Sequence, residues 1–172
     1  MIAQAERPVI EVRQLASGEW QLYRSIRLAA LADAPYAFGS TYERESAFPE
    51  EKWQQRATEG ATGKESICIV ALDGENGVGI AGGITYQANT RINQLISMWV
   101  HEDHRGTDIA ARLVSQIEVW AFDRGSERII LGVTDGNDRA ARFYKKLGFE
   151  TYDEPVIDED CLTVLHKPLS IN

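Results

Sequence analysis

The sequence predicts a single mixed α/β domain, a mostly antiparallel sheet flanked by helices. Three observations carry that prediction. The segments read in the order β-α-α-β-β-β-α-β-α-β-β, in which three successive β-prone runs joined by turn residues describe an antiparallel meander. A later strand-helix-strand stretch needs a crossover, which makes one parallel pair at the centre. At 172 residues, 44% of them hydrophobic, the chain supplies one well-buried core and not two.

Val9 to Val12 is a short β-prone run after Pro8. Ser17 and Gly18 lead into a helix in which Tyr23, Ile26 and Ala30, widened by Leu28 and Leu31, form a buried stripe ending near Asp33. Pro35, Phe38 and Gly39 break that pattern, and the segment through Phe48 shows no clear periodicity. Pro49 suits the first position of a helix over Glu50 to Arg56, whose Glu50 and Glu51 favour its positive end. Ser66 to Asp73 and Gly77 to Gln87 read as a hairpin, and Gly82 and Gly83 inside the second strand mark a bulge or a close approach of another backbone. Arg91 to Val100 is the third strand of the meander.

A helix is expected from Arg105 to Phe122, buried along Ala110, Leu113, Val114, Ile117 and Ala121 and stopped by Gly125. Arg128 to Val133 reads as a buried strand parallel to the preceding one. Asn137 caps a helix with the stripe Ala140, Phe143, Tyr144 and Leu147, and Gly148 ends it. Phe149 to Tyr152 and Cys161 to His166 complete the sheet around the acidic loop DEPVIDED.

The formal net charge of -8 argues against a nucleic-acid binder, because phosphate backbones are held by clustered Lys and Arg. It favours small cationic or neutral partners instead. The two cysteines, Cys68 and Cys161, sit in apolar runs and form neither a disulfide framework nor a C-x-x-C metal pattern. They read as reduced, buried thiols. With no secretory signal and no run of ~18 apolar residues, the expected location is cytoplasmic, away from membranes.

The chemistry converges on Leu95 to Val114, an apolar strand, a polar turn and a helical pattern. Such a junction aims unpaired N–H groups and the positive end of a helix dipole at one point, which attracts phosphate. The residues from Val100 to Leu113, V-H-E-D-H-R-G-T-D-I-A-A-R-L, resemble the acyl-CoA-binding motif of the GNAT superfamily of N-acetyltransferases. Asn137 to Phe149, N-D-R-A-A-R-F-Y-K-K-L-G-F, is similar to its second signature, and V-L-H-K-P-L from Val164 to Leu169 resembles how many members finish.

The resemblance implies acetyl-CoA as co-substrate, no metal, a primary amine on a small molecule or peptide as acceptor, and a homodimer as one state. It places the cofactor against Arg105, Gly106, Thr107, Asp108, Ile109 and Ala110 in the turn, and against Met98, Trp99 and Val100 on a strand splayed from Leu131 to Val133. Asn137 caps its helix and by resemblance also touches the cofactor arm. Tyr144 stands where the family places a general acid, and from the residues alone it also continues the buried stripe. A tyrosine pKa near 10 against a thiol near 8.5 makes full transfer uphill, so orientation of the sulfur is an equal role.

Arg105, Gly106 and Ala110 match the motif, but the central glycine falls at Asp108. A carboxylate facing the pyrophosphate at ~5 Å repels it by roughly 3 kcal/mol at a dielectric near 20. That equals about two powers of ten in affinity. A side chain pointing to solvent removes most of that penalty. For the base, Glu43, Glu45 and Asp135 are candidates that each read more simply as solvated surface carboxylates. His101 and His104 are of the residue type that most often serves as a base but sit in the phosphate turn. Trp20, Trp53, Trp99 and Trp120 read as packing, with Trp99 also a candidate lining for the acyl end. Lys145 and Lys146 read as an exposed helix face, with a weak claim on the adenosine phosphate. The alternative to an enzyme is a GNAT-like module that binds CoA, or has lost it, and acts by interaction.

Overall fold

In a computed structural model the chain forms the expected mixed α/β architecture, described for residues 9–153 and 162–170. Among the described residues a seven-stranded sheet has the order β1-β2-β3-β4-β5-β7-β6, and only β4 and β5 run parallel. The strands are β1 (Ile10–Gln14), β2 (Ser66–Asp73), β3 (Asn76–Thr85), β4 (Ile92–Val100), β5 (Arg128–Thr134), β6 (Glu150–Thr151) and β7 (Leu162–Pro168). The helices are α1 (Trp20–Asp33), α2 (Tyr42–Ser46), α3 (Glu50–Thr62), α4 (Ile109–Asp123) and α5 (Asp138–Lys146).

The two sides of the meander bury different residues, as the period-2 pattern of its strands requires. Ile69, Ala71 and Ala81 meet the α4 stripe of Leu113, Val114, Ile117 and Trp120 in one cluster. Val70, Leu72, Ile80 and Trp99 meet Ile26 and Ala30 of α1 in the other. The glycine pair in β3 has a packing reason. A Cβ on Gly83 would stand 2.7 Å from the Trp120 ring, so a side chain rather than a backbone makes the close approach.

Several elements depart from expectation. The second helix runs on to Thr62, because nothing interrupts it before Gly63 takes the left-handed conformation at φ 64°. The stretch after Pro35 holds a 3₁₀ turn (Pro35–Ala37) and the short α2, whose Arg44 N–H donates to Thr41 Oγ1 at 3.2 Å. Helix α4 starts at Ile109 and not Arg105, since Arg105 is extended (ψ 152°) and Gly106 has φ 78°. The turn before it therefore stays open, apart from a 3₁₀ turn at Glu102–His104. Strand β6 is only two residues long, and Cys161 with most of the acidic loop lies outside the described residues. Among the described residues no helix is long and apolar enough to cross a membrane.

Candidate functional site

The site opens where the one parallel pair comes apart. Strands β4 and β5 are paired only over Ile92 to Gln94 against Arg128 to Ile130. Past Gln94, β4 stays with β3, while β5 stays with β7 as far as Thr134. The β3–β4 register slips in the same stretch: Ile80 faces Trp99 but Gly82 faces Ile96, so two β4 residues oppose one of β3. Ser97 occupies that bulge with φ 57°, an uncommon and strained conformation for a residue with a side chain. Arg27 Nη1 donates to Ser97 Oγ at 3.0 Å and ties the bulge to α1.

Two cavities flank the splay, of about 550 and about 530 Å³. They share Ala37, Met98, Asn137, Ala140 and Tyr144 in their linings and so form one cleft. The first, here the far cavity, lies among α2, α3, β4 and β5. The second, the turn cavity, lies between the β4–α4 turn and α5.

Of the residues expected to hold a cofactor, Met98, Trp99, Val100, Arg105, Gly106, Thr107, Ala110, Asn137 and Tyr144 all line the turn cavity. The turn is shaped by its own hydrogen bonds. Arg105 Nε donates to Val100 O at 2.9 Å, and its guanidinium pairs with Asp33 at the end of α1. Trp99 Nε1 donates to the same carboxylate at 2.8 Å, which with Arg105 holds Asp33 below the usual carboxylate range. Thr107 Oγ1 donates to His104 O at 2.7 Å. Gly106 sits in left-handed backbone with nothing within 4 Å of where a Cβ would be, leaving the approach to its peptide open.

Ile109 and Asp108 stand apart from that lining. Ile109 is buried in the core as the first residue of the α4 stripe. Asp108 is exposed, with φ -81° and ψ -2°, backbone that any residue adopts, so no glycine is required there. Among the described residues its carboxylate makes no cap hydrogen bond.

Helix α5 brings two residues that sequence reasoning missed, Arg139 and Arg142. They line the turn cavity together with Lys146, one of the two lysines with a claim on the adenosine phosphate, whereas Lys145 does not. The signal was their i, i+3, i+7 spacing, which puts three cations on one face of the helix. Asn137 Oδ1 accepts from Ala140 N at 3.2 Å, so the cap is formed by a side chain that also lines both cavities. Tyr144, 7% exposed, packs edge-on against Phe143 and Phe149 and also lines both cavities. Burial pushes its phenol well above the ordinary value. Among the described residues no hydrogen bond occupies its hydroxyl.

The base candidates fare differently. Glu45 is not a solvated surface carboxylate: it is 2% exposed, and both its oxygens accept from Arg27 at 2.8 and 2.9 Å. Arg56 Nη1 adds a third bond at 3.0 Å. Burial works to raise its pKa, but the bonds from Arg27 and the charges of Arg27 and Arg56 outweigh this and bring it to about 2. So stable a carboxylate is a poor base. Glu43 is exposed and Asp135 accepts from Thr163 Oγ1 at 2.9 Å, and neither lines the cleft. His104 lines the turn cavity and lies 3.2 Å from Asp73, while His101 Nδ1 accepts from Asp103 N at 3.3 Å. Cys68 is buried, its thiol pushed up to about 12, and takes no part in the cleft. Trp53, Trp99 and Trp120 are buried, as expected of packing residues.

Residues 24–149 match the model of the acetyltransferase (GNAT) family. The chain belongs to that family. An acetyltransferase of Pectobacterium atrosepticum is 43% identical over 54 residues, and an uncharacterised N-acetyltransferase of Mycobacterium bovis is 39% identical over 57. These segments are 31% and 33% of this GNAT chain and span 38% and 36% of the relatives' lengths. Among solved structures, the PaiA N-acetyltransferase of Thermoplasma acidophilum, in complex with coenzyme A, superposes with a TM-score of 0.71 at 16% identity. That match covers 93% of this chain and 99% of the other. A GNAT-family acetyltransferase of Streptococcus pneumoniae gives 0.74 at 16% identity, over 94% and 100%. At that identity the likeness concerns the fold.

Proposed function

We propose that this single domain is an N-acetyltransferase that uses acetyl-CoA to acetylate a primary amine by direct attack, with both substrates bound together. One observation carries the reading: a continuous cleft runs through the splay, with a cation-lined turn at one end and Tyr144 at its waist. Bound acetyl-CoA supplies an activated acyl group, whose carbon forms a bond to the amine nitrogen as its bond to sulfur breaks.

The chain's own residues have four tasks. Arg105, Arg139, Arg142 and Lys146, with the N–H groups of the Gly106 turn, hold the phosphates. The edge of β4 at Met98 to Val100, freed from β5, hydrogen-bonds the pantetheine arm and polarises the thioester carbonyl. Asn137 keeps α5 in place and touches the arm. Tyr144, kept protonated by burial, donates a hydrogen bond to the departing sulfur, and its raised pKa favours orientation over complete transfer.

With Glu45 locked by arginines, proton removal falls to water. Four cations line the far cavity, and their charge disfavours the ammonium form of a bound amine. The acceptor nitrogen therefore reaches its neutral, nucleophilic form without a dedicated base. Over the reaction the ammonium loses two protons, one to solvent before attack and one that ends on the thiolate.

Acetyl-CoA at ~100 times its dissociation constant should add roughly 2.7 kcal/mol of stability in thermal unfolding. Thiol release over a panel of amines should then follow. The Tyr144→Phe variant should lose about a hundredfold in kcat with little change in acetyl-CoA affinity. Absence of any shift at millimolar acetyl-CoA would remove the reading, and binding without thiol release would leave a CoA-binding module.

A further inference from the structure

We propose that the far cavity selects acceptors in which the amine is joined to an anionic group, a carboxylate or a phosphate, on a small molecule. For its reaction the inference rests on the acetyltransferase reading, while the recognition itself rests on the cavity. The chain as a whole carries a charge of -8, with 26 Asp and Glu against 18 Lys and Arg. Its cleft inverts that balance. Eight of the chain's eighteen Lys and Arg residues line one cavity or the other, four in each, and among the described residues Glu45 is the one carboxylate that does.

In the turn cavity such an excess suits the phosphates of a CoA-type cofactor. The far cavity carries its own set, Arg27, Arg44, Lys52 and Arg56, beyond the waist at Tyr144. Glu45 does not neutralise it, since its single charge is already shared between Arg27 and Arg56. Among the described residues Arg44 and Lys52 have no carboxylate partner. Lys52 Nζ lies instead 4.0 Å from the centre of the Phe48 ring, which leaves its charge on the cavity side of α3.

An acceptor with a second ammonium would set like charges against these side chains, whereas a carboxylate or phosphate would complete them. The cavity volume, about 550 Å³, is in the range for a small ligand. The leaning toward small cationic or neutral partners suggested by net charge is therefore reversed in this cavity. The same cations that hold the anionic group also lower the pKa of the amine beside it.

The test compares matched amines on the full chain: O-phosphoethanolamine against ethanolamine for the phosphate arm, β-alanine against β-alaninamide for the carboxylate arm, and putrescine as the cationic control. Binding is measured by calorimetry or ligand-observed NMR without cofactor, and thiol release with acetyl-CoA. At least one anionic member should exceed its neutral partner by about tenfold or more, with putrescine weakest. That margin should shrink as salt rises from ~0.05 to ~0.5 M. The exposed pair Arg44→Gln and Lys52→Gln, which lies outside the turn cavity, should bring the margin to within about twofold while coenzyme A affinity holds. Putrescine or the neutral members binding as well as the anionic ones, or a margin unchanged in the double variant, would overturn the proposal. Anion-selective binding with no thiol release would uphold it and break the acetyltransferase reading; thiol release without anion preference would do the reverse.

Discussion

The two halves of the cleft carry the same number of Lys and Arg side chains, four each, and are built in opposite ways. Nearly everything in the turn cavity comes from two short segments, Met98 to Ala110 and Asn137 to Lys146, where turn and helix geometry fix neighbours a few positions apart. The far cavity is assembled from distant parts: Arg27 from α1, Glu45 from α2, Arg56 from α3 and Ser97 from β4. One half is a local motif, and the other is a tertiary construction that exists only when four elements are docked. Changes in the first should therefore alter binding and leave the fold intact. Changes at the centre of the second should damage the fold itself.

The largest expected effect tests that contrast directly. Glu45→Gln leaves the Arg27 guanidinium, 6% exposed, without its counter-charge, and should cost about 3 to 5 kcal/mol in denaturant unfolding. The sign with pH follows from the lowered carboxylate. Glu45 contributes its stability in full above the unfolded value near 4.5 and loses it as pH falls through about 2. The stability gap between wild type and variant should thus be widest near neutrality and close across that acidic window. A loss below about 1 kcal/mol, with no closing gap, would show that the far cavity does not depend on this pair.

The same contrast explains what could be read in advance. The helix stripes, the hairpin and the parallel crossover were legible because periodicity and turn chemistry are local. That most of the turn residues and Tyr144 meet around one cavity was legible because each lies in a contiguous motif. Glu45 was read as a surface carboxylate because a single acidic residue in an aperiodic stretch gives no hint of two arginines 18 positions before it and 11 after it. The start of α4 was misplaced because Gly106 was read as part of the helix, whereas its φ of 78° breaks the helical path. Net charge is silent on the cleft for a related reason: a total says nothing about where the folded chain gathers its cations.

A middle-sized effect belongs to the local half. The double change Arg139→Gln and Arg142→Gln removes two exposed cations from α5 and should weaken coenzyme A binding by about ten- to thirtyfold at low salt, less at high salt. Unfolding midpoints should hardly move, because surface substitutions of this kind fall within about 0.5 kcal/mol. Acceptor preference should also hold. If instead the protein were destabilised by several kcal/mol, α5 would belong with the tertiary half, and the division drawn above would fail.

The smallest effect concerns the residue that departs from the family motif. Asp108→Gly restores the family's glycine, and two physical pictures give well-separated outcomes. A carboxylate turned inward at ~5 Å from the pyrophosphate would be worth roughly 3 kcal/mol, so its removal would tighten coenzyme A binding about a hundredfold. An exposed carboxylate at ~10 Å in water interacts by only about 0.4 kcal/mol before salt screens it further. Asp108 is exposed, stands outside the cavity lining and has ordinary right-handed backbone. The second picture therefore applies: affinity should change by less than about twofold, and the loss of an aspartate at the head of α4 should cost only a few tenths of a kcal/mol. Calorimetric titration of coenzyme A into both proteins decides it. A gain near a hundredfold would mean that the carboxylate faces the phosphates and acts as a brake on the cofactor site.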